Sequence, residues 1–136
     1  MSLTTMTEST YRDFKESMSI EVNDIILRIK RIIATVEGET ALGRCDRVER
    51  EMLDYLLKRQ ISGNAALVTE LISESKIASP ASLHRRIAHL IDLGLVTIER
   101  DPVDHRRKRL VLTRGAIKAY NTMSDQIHQA VLAPDC

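Results

Sequence analysis

The stretch from Ser79 to Leu112 constrains the fold more than any other part of this chain. Serine is a preferred helix N-cap and proline a preferred first helical residue, so Ser79-Pro80 specifies a helix start. Leu83, Ile87, Leu90 and Ile91 then recur at helical spacing, which marks a core face, and Gly94 stops the helix. Apolar residues next alternate at Val96 and Ile98, and again at Leu110 and Leu112, on either side of a turn-rich, basic loop. That pattern predicts two short antiparallel strands over 95–100 and 107–112. A helix followed directly by an arginine-tipped hairpin is a compact way to present cations on two adjacent elements.

The flanking segments read as helices. Residues 1–10 are polar and are expected to be flexible, leaving one domain over 11–136. Apolar residues spaced by three or four run from Tyr11 to Val36, including Phe14, Met18, Val22, Ile25, Ile29 and Ile32. This predicts a long helix over 11–36 whose stripe is broad for a small domain to cover alone, and a second subunit is the preferred cover. Packing within the chain is the other reading. Asp46 with Glu49 has the spacing of a capping box and opens a helix to about Lys58, with Val48, Met52, Tyr55 and Leu56 on one face. Asn64 is placed to cap a short helix to about Glu74 that buries Leu67 and Leu71. A last helix over 115–132 turns Ile117, Tyr120, Ile127 and Val131 inward. The fold class is therefore mainly α with a minor β part. It is a winged helix–turn–helix with a two-to-three-stranded antiparallel wing and flanking dimerisation helices at 11–36 and 115–132.

Charge becomes informative once it is divided along the chain. The formal net charge is only +1 over 136 residues. Residues 1–78 carry eleven Lys/Arg against thirteen Asp/Glu, whereas residues 79–115 carry eight against four. Positive charge is thus concentrated on the helix and hairpin, where it can steer toward phosphate. No apolar run approaches the roughly 20 residues that a membrane-spanning helix needs, so no membrane partner is expected. Two cysteines, Cys45 and Cys136, lack metal-ligand spacing, and a cytoplasmic location is the expectation. Cys45 reads as a packed thiol rather than a redox sensor. No glycine-rich phosphate loop is present, and His84 and His89 are five residues apart, which shares a helix face poorly for metal binding. No catalysis, cofactor or metal is expected.

On a helical wheel, Ala81, Arg85, Ala88, His89 and Asp92 lie opposite the core face of helix 79–93, with Ser82 beside them and His84 and Arg86 at the edges. Small residues near the start admit the helix to a major groove, where Arg85 can donate a bidentate pair to a guanine edge. Ser79, Ser82 and the free amides at the helix start suit a phosphate, and His84, Arg86 and His89 are candidates for backbone contact. In the hairpin, Arg106, Arg107 and Arg109 are candidate DNA contacts. Arg106, nearest the tip, suits a narrow minor groove. Asp101 or Asp104 can hold an arginine in pose through a charge-assisted bond.

Two motifs carry a family resemblance. The run from Ser79 to Val96 resembles the recognition helix of MarR-type transcriptional regulators. The sequence Asp101-Pro-Val-Asp-His-Arg106, with Leu112-Thr113 and a following glycine, resembles that family's wing. The resemblance covers about residues 46–120. It implies a homodimeric regulator of double-stranded DNA, with this helix in the major groove and Arg106, positioned by Asp104, in the minor groove. Gly115 falls one residue earlier than the family pattern. One C-terminal helix stands where the family often has two, which places more of the dimerisation on the first helix. The expected function is sequence-specific transcriptional regulation, as a repressor. The rival is a winged-helix module that docks on protein, and the arginine-loaded wing favours DNA. The 3% aromatic content leaves no stacking pocket from which a small-molecule effector can be read.

Overall fold

The computed structural model describes residues 7–10, 12 and 23–132. A helical turn over 8–10 is capped by Thr7, whose Oγ1 accepts from the Thr10 amide at 3.1 Å. Helix α1 spans Ile25–Gly38 and leads through a 3-10 turn, Ala41–Arg44, into α2, Arg47–Ile61. Helix α3 (Val68–Glu74) and α4 (Pro80–Asp92) follow, then strands β1 (Val96–Arg100) and β2 (Lys108–Leu112), then α5 (Arg114–Leu132). The strands pair antiparallel, with Val96 opposite Leu112 and Arg100 opposite Lys108. Leu42, Met52, Leu53, Leu56, Leu71, Leu83, Leu90 and Leu110 are fully buried and join α2, α3, α4 and the wing around one core. A mainly helical chain with a small antiparallel wing is the expected fold class.

Helix α2 starts where its capping box places it. Asp46 Oδ1 accepts from the Glu49 amide at 2.8 Å, and Glu49 Oε1 accepts from the Asp46 amide at 3.0 Å. Helix α3 starts later than expected. Asn64 does not cap it; Glu70 Oε1 instead accepts from the Leu67 amide at 2.8 Å. The reason lies outside the segment. Ala66 accepts from the Leu110 amide at 2.8 Å and Leu67 forms a bridge with Arg109, so this stretch is held extended beside the wing until Val68. The two-stranded sheet thereby gains a third, single-bridge neighbour.

The single long helix expected over 11–36 is corrected at its middle. Asn23 is not helical, its Oδ1 accepts from the Ile25 amide at 3.1 Å, and α1 begins at Ile25. Asparagine competes with helix propagation by bonding nearby backbone in this way. Phe14, Met18 and Val22 lie outside the described residues. Ile25, Ile29 and Ile32 are half-buried, and α1 packs along α5, where Arg28 Nη2 donates to the Ala130 carbonyl at 3.0 Å.

Three other expectations about burial change. In α5 the buried positions are Ala116, Ala119 and Met123, with Ile117, Tyr120 and Ile127 half-buried and Val131 exposed. Small side chains bring the helix backbone close to its neighbours, so the larger residues fall to the flanks. Ile91 is exposed at the edge of α4, and Ile98 is exposed because the sheet is covered only at its base. Among the described residues, no helix is long and apolar enough to cross a membrane.

Candidate nucleic-acid interface

Helix α4 is built to start sharply and to end sharply. The Ser79 Oγ accepts from the Ser82 amide at 3.2 Å, and Pro80 follows as the first helical residue. At the other end Gly94 adopts φ +76°, its amide donates to Ile91, and the Leu95 amide reaches back to the Leu90 carbonyl at 3.1 Å. This is a Schellman closure, and the left-handed residue in it favours glycine. Leu83, Ile87 and Leu90 are buried beneath, leaving Ala81, His84, Arg85, Ala88 and Asp92 in solvent. Ser79 is exposed and Ser82 half-exposed beside this face.

Two side chains of α4 expected to meet DNA, Arg86 at its edge and His89 on its outward face, are engaged by α2. Arg86 Nη1 donates to Asp46 Oδ2, and its Nε donates to Ser82 Oγ at 2.9 Å. His89 Nδ1 lies 2.5 Å from Glu49 Oε2, on a carboxylate that is itself buried. The Glu49 amide, seconded by the Arg86 guanidinium, holds the Asp46 carboxyl below the usual range. Spacing along α4 carries no sign of either contact, because both partners lie 40 residues away.

The wing sorts its arginines by depth. Asp101 is buried where the wing loop leaves β1, and its Oδ2 accepts from the amides of Val103 at 3.2 Å and Asp104 at 2.9 Å. Its Oδ1 accepts from Arg109 Nε at 2.5 Å. Arg109 also donates to the Ala65 carbonyl and to Asn64 Oδ1, which lies 3.4 Å away. Arg109 thus pins the wing to the segment before α3, and we do not place it against DNA. Arg106 sits differently. Its side chain is 91% exposed at the tip, with Nε 3.1 Å from Asp104 Oδ1 and Nη2 3.3 Å from Asp104 Oδ2. The Arg106 guanidinium holds the Asp104 carboxyl below its ordinary value, and the amide of Asp104, with Arg109, does the same for Asp101. Arg107 and Lys108 are exposed beside Arg106. With Arg106 they line a cleft of about 410 Å³ whose other wall is Leu67, Val68 and Thr69.

The cysteine with a described side chain is a packed thiol. Cys45 is buried, and burial pushes its thiol up to about 11. Cys136 lies outside the described residues. Among the described residues, no group of three His, Cys, Asp or Glu is placed to hold a metal ion.

No family model matches the sequence, and no curated protein does. Solved structures do share the fold. The S. aureus MepR–DNA complex is similar at a TM-score of 0.56 and 16% identity, covering 93% of this chain and 84% of that one. The transcriptional regulator Tm0710 from Thermotoga maritima is similar at 0.57 and 18%, covering 92% and 77%. YusO from Bacillus subtilis is similar at 0.52 and 13%, covering 93% and 81%. This chain shares with these structures its fold, a mainly helical winged helix with a small antiparallel wing, which is the fold its helix and hairpin patterns predict.

Proposed function

We propose that the protein is a sequence-specific, double-stranded-DNA-binding transcriptional regulator that acts as a homodimeric repressor. The observation that carries this reading is Arg106, exposed at the wing tip and oriented by Asp104. A fully solvated arginine needs no such partner, whereas one that enters a narrow minor groove benefits from being held in pose. Helix α4 supplies the second contact. Its solvent face has small residues near the start and Arg85 one turn on, which suits entry into the major groove and a guanine edge. Ser79, Ser82 and His84 lie at the rim of that face, where phosphates would pass, and Arg107 extends the wing's positive surface. The presence of DNA in the MepR complex, which shares this fold, supports the same assignment.

Equilibrium binding to a duplex across a salt series tests it. Neutralising about 6–10 phosphates per dimer should reduce affinity by orders of magnitude between 50 and 200 mM salt on the counterion-release relation. A flat salt response, or no binding at low salt, overturns the DNA reading and leaves docking on protein.

A further inference from the structure

Every carboxylate oxygen of the α2 capping box has a partner, and the four partners divide between two helices. Asp46 Oδ1 and Glu49 Oε1 take amides of their own box. Asp46 Oδ2 and Glu49 Oε2 face Arg86 Nη1 and His89 Nδ1, three residues apart on α4 and so on one side of that helix. A carboxylate only accepts, so His89 is the donor at Nδ1. Arg86 is further braced along its own helix by Ser82 Oγ. An ordinary capping box leaves its outer oxygens to water. This one turns both of them onto the next helix but one.

We propose that Asp46 and Glu49, through Arg86 and His89, form a clamp that sets the angle and depth of α4, so that these four are positioning residues rather than DNA contacts. The inference rests on the DNA-binding reading and deepens it. Arg86 looks like a phosphate contact from its sequence position, yet its guanidinium already has partners on Asp46 and Ser82. Its effect on binding passes through the pose of α4, which decides whether Arg85 meets a base edge. The clamp also engages the Arg86 guanidinium away from the interface, so the salt dependence of binding does not include it.

The test is a double-mutant cycle with Asp46→Asn and Arg86→Gln, repeated with Glu49→Gln and His89→Ala. Asparagine and glutamine keep the oxygen that caps α2, so each variant retains the helix start, and circular dichroism checks this. Affinity for a specific duplex is measured from low to moderate salt. Each single variant should bind about tenfold more weakly, in the range seen for coupled pairs. The double variant should be no worse than either single one, and the slope of log affinity against log salt should match wild type. A phosphate contact predicts another pattern. Arg86→Gln would lower that slope by about 1 per contact, and Asp46→Asn would leave affinity unchanged or improve it by releasing the arginine. That pattern, or additive losses, overturns the clamp while the wild type still binds. Wild-type protein that binds no duplex overturns the DNA-binding reading and the clamp's role with it.

Discussion

Arg106 and Arg109 stand three residues apart in one basic run, yet they have opposite surroundings. Asp104 keeps Arg106 in solvent at the tip, and Asp101 draws Arg109 inward against Asn64 and Ala65. Strand alternation anticipates that one set of arginines turns away, and only the packed structure says which. The exposed pair, Arg85 and Arg106, should fail differently when removed. Arg85→Ala should relax preference at one base pair and cost about 1–3 kcal/mol at the best site. Arg106→Ala, by losing a contact to groove width and charge, should weaken many sites alike. Binding of each variant to single-base variants of the best site checks this, and identical specificity profiles would sink the division. Cys45 supplies a second prediction at this scale. With its thiol pushed up to about 11 by burial, it should resist a water-soluble thiol reagent at pH 8 in the folded protein and react fully on unfolding.

At the scale of the element, ends are set locally and pairings are not. The α2 capping box, the Ser79-Pro80 start and the Gly94 stop all follow from the residues standing at those positions. Gly94 offers a clean measurement. A methyl group there meets nothing within 4 Å, so Gly94→Ala should be felt only through the backbone at φ +76°. The left-handed conformation costs an alanine about 1–2 kcal/mol, so the unfolding free energy should fall by that amount, seen as a lower denaturation midpoint at an unchanged m-value. Helix α3 shows the other case. Asn64 has the chemistry of a cap, but Ala66 and Leu67 pair with the wing first, and Glu70 becomes the residue that satisfies the Leu67 amide. That bond, followed by the Arg59 guanidinium, holds the Glu70 carboxyl below its usual range.

For the whole molecule, four lowered carboxyls predict the direction of its response to acid. Asp46, Glu70, Asp101 and Asp104 all sit below their ordinary values in the fold, held by amides and arginines. Their stabilisation is complete above the unfolded carboxyl range, near pH 4, and is lost as pH falls through the folded values. The contribution of these four groups should therefore be undiminished down to about pH 5 and should be lost below about 4, against an opposite contribution from Asp54, whose carboxyl is raised by desolvation. Asp46→Asn combined with Asp101→Asn should flatten that loss in a melting series. The other whole-molecule prediction concerns assembly. Ile26 and Leu27 on α1, with Val131 and Leu132 at the end of α5, remain exposed on two helices that already pack together. In the homodimer proposed above, these residues are candidates for cover by a second copy, and two-fold symmetry would match a palindromic site. Replacing Ile26 and Leu27 with glutamate should give monomers that bind DNA more weakly. A stable wild-type monomer in sedimentation at micromolar concentration would refute the dimer.

The sequence by itself determined the winged helix. Apolar period, caps and turn residues act over four or five positions, and that reach is enough to place α2, α4, both strands and α5 to within a few residues. It also located Arg106 nearest the wing tip and left open whether Asp101 or Asp104 would hold an arginine there. Only the tertiary structure decided that Arg86 and His89 are tied to Asp46 and Glu49, that Arg109 faces inward, and that α3 waits until Val68. Asp101 stands only eight residues from Arg109, but the other partners in those choices are 40 or more residues distant. A charged side chain is drawn to whichever opposite charge folding brings nearest, and local spacing holds no record of that.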